Sequence, residues 1–280
     1  MENKYLNEYK AQVLRKCQLK QLSILEEIDR ICQKHHISYW LDGGTLLGAV
    51  RHGGFIPWDD DIDIAMTLDD LKRFVAVAPQ ELPPTLFLQT PSCLHLTDSA
   101  TTEHTKEPIV KVRDLNSFYV EGSDNFDAPY EKGLFIDIFP FIAYPGVSRK
   151  FVKRVTRGIS KSYSILTKAH YYSLRSCAEL PWFCLKYLWY STVWKCACLL
   201  FPPRRADNLG NILINNGYGI MHTTSRTFPL GTITFEGKTF PAPKDVDAYL
   251  SDLYRNYMDV PPPEKRKIHS VFIMPELTQS

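Results

Sequence analysis

Residues 39–66 read YWLDGGTLLGAVRHGGFIPWDDDIDIAM, and their pattern decides the fold. A β-prone entry, Ile37 to Leu41, runs into Gly43-Gly44 and then into a helix-compatible piece from Thr45 to Arg51. A second glycine pair, Gly53-Gly54, turns the chain before Asp59, Asp60, Asp61 and Asp63. Side chains alternate faces along a strand, so Asp61 and Asp63 point one way while Ile62 and Ile64 go to the core. Two carboxylates on one face repel each other, and hard oxygen ligands of this kind are what Mg²⁺ or Mn²⁺ accepts while keeping positions for phosphate oxygens. A solvated acidic edge is the plain alternative, and the apolar flanks argue against it. An EF-hand loop shares its first three spacings with Asp59, Asp61 and Asp63, but its glycine position is Ile64 here and its closing glutamate position is Asp70.

Gly43 and Gly44 supply the complementary half. Without Cβ atoms they let backbone N–H groups approach a ligand closely, and Thr45 can cap a following helix whose N-terminus favours an anion. Further along, GLFIDIFPF (Gly133 to Phe141) is an apolar strand with one acid, Asp137. A carboxylate there is costly to bury unless it is hydrogen-bonded, paired or on a metal.

These residues resemble a known family. Leu41-Asp42-Gly43-Gly44-Thr45-Leu46-Leu47-Gly48, then Arg51, Gly54 and Ile56-Pro57-Trp58-Asp59-Asp60-Asp61-Ile62-Asp63, look like the signature of the LicD family, the phosphocholine transferases of bacterial surface polysaccharides. That family is similar in its core to nucleotidyltransferases of the DNA polymerase β type and to fukutin-type ribitol-phosphate transferases. Asp137-Ile138-Phe139-Pro140 matches a similar family ending. Phe235-Glu236-Gly237, Pro241-Ala242-Pro243, Tyr249-Leu250 and Tyr257-Met258, followed by Pro262, resemble its closing segment. The family often has Tyr-Gly where this chain has Tyr254-Arg255.

The resemblance implies an α/β (α+β) protein with a nucleotidyltransferase-type mixed sheet, flanking helices and a helical insertion. The expected division is a catalytic core at 1–147, a helical insertion at 148–224, and a C-terminal segment at 225–280 packing on the core. It implies a CDP-activated donor, above all CDP-choline, whose phospho-alcohol group passes to a sugar hydroxyl of a glycan acceptor with release of CMP. Asp61 and Asp63 would hold Mg²⁺ (or Mn²⁺). Asp137 would complete the metal site and act as base for the acceptor hydroxyl, with Asp59 a lesser member of the cluster. Gly43, Gly44 and Thr45 with Arg51 would hold phosphate, and Lys111 and Arg113, two apart and so on one strand face, would neutralise a diphosphate if that face meets the acids. Spacing alone supports metal-dependent phosphoryl transfer. A glycosyltransferase using Asp61-Ile62-Asp63, a transferase for another CDP-linked or phosphonate donor, and a non-catalytic nucleotide-binding scaffold stay open. A quaternary ammonium needs aromatic faces, and Tyr39, Trp40, Trp58 and Tyr119 are the candidates.

The 280 residues are 44% hydrophobic, enough for one large core with an appendage. A net charge of +2 provides no bulk field for nucleic acid, which is not an expected partner. The seven cysteines form no CxxC pair and no zinc-like grouping with histidine. Their odd, scattered set reads as thiols of a reducing, cytoplasmic compartment, with Cys196 and Cys198 buried in an apolar run. Met1 to Lys34 is charged throughout, so no signal peptide is expected.

Residues 5 to 35 read as an amphipathic helix with Val13, Cys17, Ile24, Leu25, Ile28, Ile31 and Cys32 on one face and Gln21 as a polar interruption. Thr67-Leu68-Asp69-Asp70 has the form of a capping box, opening a helix through Val77 that Pro79 to Pro84 ends. Leu86 to Gln89 is a strand, and Pro91 to Pro108 a loop with the character of a lid. Ile109–Asp114 and Ser117–Glu121 alternate around Leu115-Asn116 and read as a β-hairpin, as does TITFEGKTF (232–240). Asp245 to Tyr257 reads as a helix. From Ser148, Arg149, Lys150, Lys153, Arg154, Arg157 and Lys161 crowd one helical segment, and Leu180 to Phe201 is rich in Trp, Tyr, Leu and Cys. Pro181, Lys186 and Lys195 suit it poorly to spanning a bilayer. It reads as a buried helical subdomain or, alternatively, as an interfacial helix giving peripheral membrane association at the inner face of the cell membrane.

Overall fold

A computed structural model describes residues 4–96, 103–105, 108–121, 132–167, 174–266 and 268–277. In chain order the elements are α1 (Lys4–His35), β1 (Trp40–Leu41), α2 (Gly43–His52), β2 (Asp63–Thr67), α3 (Leu68–Glu81), β3 (Leu86–Pro91), β4 (Glu103–Thr105), β5 (Val110–Asp114) and β6 (Phe118–Glu121). There follow β7 (Phe135–Tyr144), α4 (Arg149–Thr167), α5 (Leu174–Leu200), β8 (Asn208–Asn211), β9 (His222–Thr223) and the single turn α6 (Thr224–Thr227). The chain closes with β10 (Gly231–Phe235), β11 (Lys238–Ala242), α7 (Val246–Tyr254) and β12 (Ser270–Met274). Two compact units result: Met1–Phe139 with Leu230–Ala242 and Asn256–Ser280, and Pro140–Pro229 with Pro243–Arg255.

In the first unit the strands run β1-β2-β7-β5-β3-β4. β3 and β4 are parallel, whereas β1–β2, β3–β5 and β5–β7 are antiparallel, so the sheet is mixed and the class α+β. The expected periodicity of α1 holds: Cys17, Ile24, Leu25, Ile28, Ile31 and Cys32 are all buried, and each aliphatic chain so placed contributes about 1.5–3 kcal/mol. Gln21, the polar interruption, is buried as well. Its Nε2 donates to the Asp60 carbonyl (2.9 Å) and to that of Phe135 (3.3 Å), tying α1 to the acidic segment and to β7. Thr67 caps α3 by accepting from Asp70 N–H at 3.2 Å, as its pattern predicts. The helix nonetheless runs through Pro79 to Glu81, where Leu82 N–H donates to the Ala78 carbonyl at 2.9 Å. The 232–240 hairpin forms with Phe235 opposite Lys238, and Glu236 (φ 52) and Gly237 (φ 73) make a tight turn. Glu236 reaches back to Arg15 at 2.6 Å and accepts from Phe55 N–H at 3.0 Å.

The hairpin expected around Leu115-Asn116 does not form. β5 pairs with β3 and β7, and β6 pairs with β12, which arrives from the far end of the chain. The alternation that suggests a half-exposed hairpin is misleading here, since all five residues of β5 are buried and its polar members have partners inside. Within the stretch read as a loop, Pro91 to Pro108, residues 103–105 form β4 beside β3, while residues 97–102 and 106–107 and the His104 side chain lie outside the described residues.

In the second unit the end of β7 pairs with β8, Phe141 opposite Asn211 and Tyr144 opposite Asn208. α4 and α5 pack over a core of Tyr144, Val152, Val155, Ile159, Trp194 and Met221. The two helices approach closely at Gly158, where a Cβ would lie 2.3 Å from the Tyr190 ring. The reading of 180–201 as a buried helix fails on its outer side, where Trp182, Leu185, Leu188, Trp189, Leu199, Leu200 and Phe201 are each more than half exposed. Cys196 is likewise exposed rather than buried. Among the described residues, no helix is long and apolar enough to cross a membrane. Arg255, at the end of α7, has φ 56, a left-handed conformation that favours glycine, which is what the family often carries there.

Candidate active site

The site is built by β1, the first turn of α2, the segment entering β2, and β7. Pairing of Leu41 with Ile64 brings Asp42 opposite Asp63, where Asp42 N–H donates to the Asp63 carbonyl at 3.0 Å. α2 begins at once, at Gly43, two residues earlier than Thr45. Thr45 therefore does not cap it. Asp42 holds the cap position, and the Thr45 hydroxyl instead accepts from Asp63 N–H at 2.8 Å, fixing β2 to the first turn of α2.

Gly43 has φ +53, and a Cβ there would lie 2.6 Å from Asp63 Oδ2, while one on Gly44 would lie 2.7 Å from Asp59 Oδ2. The positive end of α2 thus abuts two carboxylates, in a cradle that only glycine leaves open. Ile62 and Ile64 are fully buried while Asp61 and Asp63 are partly accessible, as strand alternation predicts.

The acids press on one another. Burial first, then the charges of Asp61, Asp137, Asp42 and Asp59, pushes the Asp63 carboxyl well above its ordinary range. Asp59 is pushed up in the same direction, by burial and then by Asp61 and Asp60. Asp61 is raised by burial, with His269 countering. One carboxylate oxygen each from Asp59 and Asp61 and a ring nitrogen of His269 lie within 4.8 Å of one another, a set that can hold a divalent cation. His269 Nε2 stands 3.7 Å from Asp61 Oδ2. Asp137, across β7, forms an ion pair with buried Lys111 at 2.8 Å, and Lys111 lies 3.8 Å from Glu121. A donor set of hard oxygens with one imidazole, against a glycine cradle, fits Mg²⁺ or Mn²⁺.

Asp60, the middle of the three consecutive acids, turns the other way. It is buried and accepts from His269 N–H (3.1 Å), Ser270 N–H (2.8 Å) and the Ser270 hydroxyl, so it anchors β12 and places His269. Gln18 Nε2 donates to the Asp59 carbonyl at 2.9 Å.

The remaining expected site residues divide. Lys111 faces the acids. Arg113 is buried beside it but donates to Gln89 Oε1 (2.8 Å) and to the Gly133 carbonyl (3.2 Å). Arg51 lies eight residues along α2 from Gly43, about 12 Å by helical rise, and donates to the Asp259 carbonyl. Of the four aromatics, Tyr39, Trp40 and Tyr119 are core residues, and the Tyr39 hydroxyl donates to Asp29 at 2.8 Å. Trp58 lines a cavity, and the Arg266 guanidinium covers its ring at 4.0 Å. Sequence reasoning assigned no role to Asp42 or His269. Asp42 stood within the quoted signature and could have been found from its place before the glycines; His269 is brought in by β12 pairing and carried no local signal.

Replacing Gly43 by alanine tests the cradle. The left-handed φ and the contact with Asp63 Oδ2 together should cost about 1–3 kcal/mol of stability and shift the carboxylate. Thermal melts should show the lower Tm and steady-state kinetics at least a tenfold loss; an Ala variant matching the parent in both would contradict the close approach.

A mixed sheet sets the Asp42, Asp63 and Asp137 carboxylates beside a glycine-led helix, as the resemblance to nucleotidyltransferases implies. The sequence model of the LicD/FKTN/FKRP nucleotidyltransferase domain matches residues 36–172. The lipopolysaccharide cholinephosphotransferase LicD of Haemophilus influenzae is 28% identical over 284 residues, covering 94% of this chain and 97% of that protein. The human ribitol 5-phosphate transferase FKRP is 57% identical over 35 residues, 12% of this chain and 7% of its own, and an uncharacterized protein of Rickettsia typhi is 44% identical over 57 residues, 20% and 18%. The domain match and the Haemophilus influenzae match both support a phosphotransferase of the LicD type.

Proposed function

We propose that the enzyme transfers phosphocholine from CDP-choline to a sugar hydroxyl of a cell-surface polysaccharide, releasing CMP. The observation that carries the reading is the crowd of mutually repelling carboxylates packed against Gly43 and Gly44, an arrangement with a chemical reason only if cationic and phosphate groups enter it. Similarity along nearly the whole chain to a cholinephosphotransferase supports the donor and the glycan acceptor. When bound, Mg²⁺ would offset the charge on the diphosphate and on the transferring group. Asp59, Asp61, Asp63 and His269 would hold it. The N–H groups of the first turn of α2 would take phosphate oxygens. Asp137 takes the proton of the acceptor hydroxyl, with the Lys111 ammonium 2.8 Å from its carboxylate. Trp58 would offer the quaternary ammonium a ring face once Arg266, which covers it at 4.0 Å, moves aside.

The test is CMP release by purified protein from a panel of CDP-choline, CDP-ethanolamine, CDP-glycerol and CDP-ribitol, with and without divalent cation and glycan acceptor. CDP-choline should be turned over only with cation present. Preference for another CDP-alcohol would move the donor assignment while sparing the class, and release of UDP or GDP from nucleotide sugars instead would overturn the reading.

A further inference from the structure

Among the described residues, the outer side of α5 has no packing partner. Trp182, Leu185, Trp189, Thr192, Cys196 and Leu199 follow one another at steps of three and four, all exposed, so they form one stripe along the helix. The opposite side, with Trp194 and Ala197, is buried against the core of the second unit. A helix apolar on both sides is ordinarily either deep in a core or in lipid, and among the described residues this one is neither covered nor long and apolar enough to cross a bilayer.

Beside the stripe, between α4 and α5, lies a cavity of about 480 Å³ lined by Lys150, Lys153, Arg154, Arg157, Lys161 and Lys186 and, among the described residues, by no acid. Lys186 leans its Nζ to 4.9 Å from the Trp182 ring, joining the basic cavity to the apolar stripe. The two helices hold nine of the chain's 33 Lys and Arg but one of its 31 Asp and Glu, so the cations are concentrated here although the whole chain is nearly neutral. A second cavity along the same helices is apolar, lined by Phe151, Trp189, Val193, Cys196 and Leu200 among others.

We propose that α4 and α5 form a docking surface for a bilayer containing anionic phospholipid, with α5 lying in the interfacial plane, its stripe among acyl chains and the basic cavity on headgroup phosphates. Apolar area supplies the depth and the clustered cations the selectivity for negative lipid. A second copy of this chain fits the surface less well, because an isologous contact would set these cations against their own copies. The proposal is independent of which donor the active site uses.

The test uses the full chain with vesicles of phosphatidylcholine alone or mixed with phosphatidylglycerol, read by flotation and by quenching of tryptophan fluorescence with brominated lipids. The protein should float with the anionic vesicles at low salt, with quenching from Trp182 and Trp189. Lys153→Ala with Arg157→Ala should weaken partition ~30-fold. Leu185→Glu with Leu199→Glu should abolish it at unchanged Tm and circular dichroism; should that variant misfold, quenching in the parent protein decides. A folded parent that stays unbound at low salt, equal binding to neutral vesicles, partition unmoved by both variants, or a dimer that the stripe variant dissolves would each overturn the proposal.

Discussion

Asp63→Asn, and separately Asp61→Asn, should cut turnover about a thousandfold or more while leaving the chain folded. A cation that offsets charge in a transition state supplies several kcal/mol, and about 4 kcal/mol corresponds to that factor. Asn keeps the size and one oxygen but loses the charge, so the loss reports on the charge alone. The same substitution carries an opposite effect on stability. In the folded chain the Asp63 carboxyl is raised by burial and by four neighbouring acids, so between its unfolded and folded pKa the folded state binds more protons than the unfolded one. Stability from this group is thus present at low pH and lost as pH rises through that window. The parent without added cation should therefore melt lower at pH 8 than at pH 5.5, Asp63→Asn should melt higher than the parent at pH 8, and Mg²⁺ or Mn²⁺ should raise the parent's Tm more at pH 8 than at pH 5.5. Near-parental turnover of either variant with Mg²⁺ supplied would sink the assignment.

The parts of this molecule that could be read from sequence are those whose cause is local. The three- and four-residue period of α1, the Thr67 cap, the Glu236-Gly237 turn and the alternation of Asp61, Ile62, Asp63 and Ile64 each depend on neighbours within a few residues. The glycine pair was legible as a ligand-approach element, but the reason it must be glycine, the Asp63 and Asp59 carboxylates pressed against it, is a contact across the β1–β2 pairing. What was not legible depends on distant pairing. β6 alternates as a hairpin partner of β5 should, yet its edge is taken by β12 from some 150 residues further on. That same pairing brings in His269, which no motif near it announces. Lys111 and Arg113 share a face as expected, but only the folded sheet shows that one neutralises Asp137 and the other is engaged by Gln89 and Gly133. For α5 the composition favoured a buried helix over an interfacial one, and the choice turns on which of its two apolar sides the second unit covers.

The triple acid Asp59-Asp60-Asp61 looks like one cluster in the sequence and is two devices in the fold. Asp59 and Asp61 face the site, while Asp60 faces inward and holds the Ser270 end of β12 through two backbone N–H groups and a hydroxyl. Hydrogen bonds to a charged acceptor are worth about 1.5–3 kcal/mol each, and donors left buried without a partner add their own desolvation cost, so Asp60→Ala should cost about 3–5 kcal/mol. For a chain of this size that is a fall in Tm of about 10 °C, whereas alanine at the exposed Asp69 should change stability by no more than about 0.5 kcal/mol. Asp60→Asn keeps one acceptor and should fall between. Because β12 also carries the approach to His269, loss of the anchor should reach the chemistry: Asp60→Asn should weaken the Tm rise produced by Mn²⁺ even though Asp60 lies outside the candidate metal set. A melt of Asp60→Ala within 2 °C of the parent would show that β12 is held by its pairing with β6 alone, and an Asp60→Asn variant with a full Mn²⁺ response would show that His269 reaches its place without this anchor.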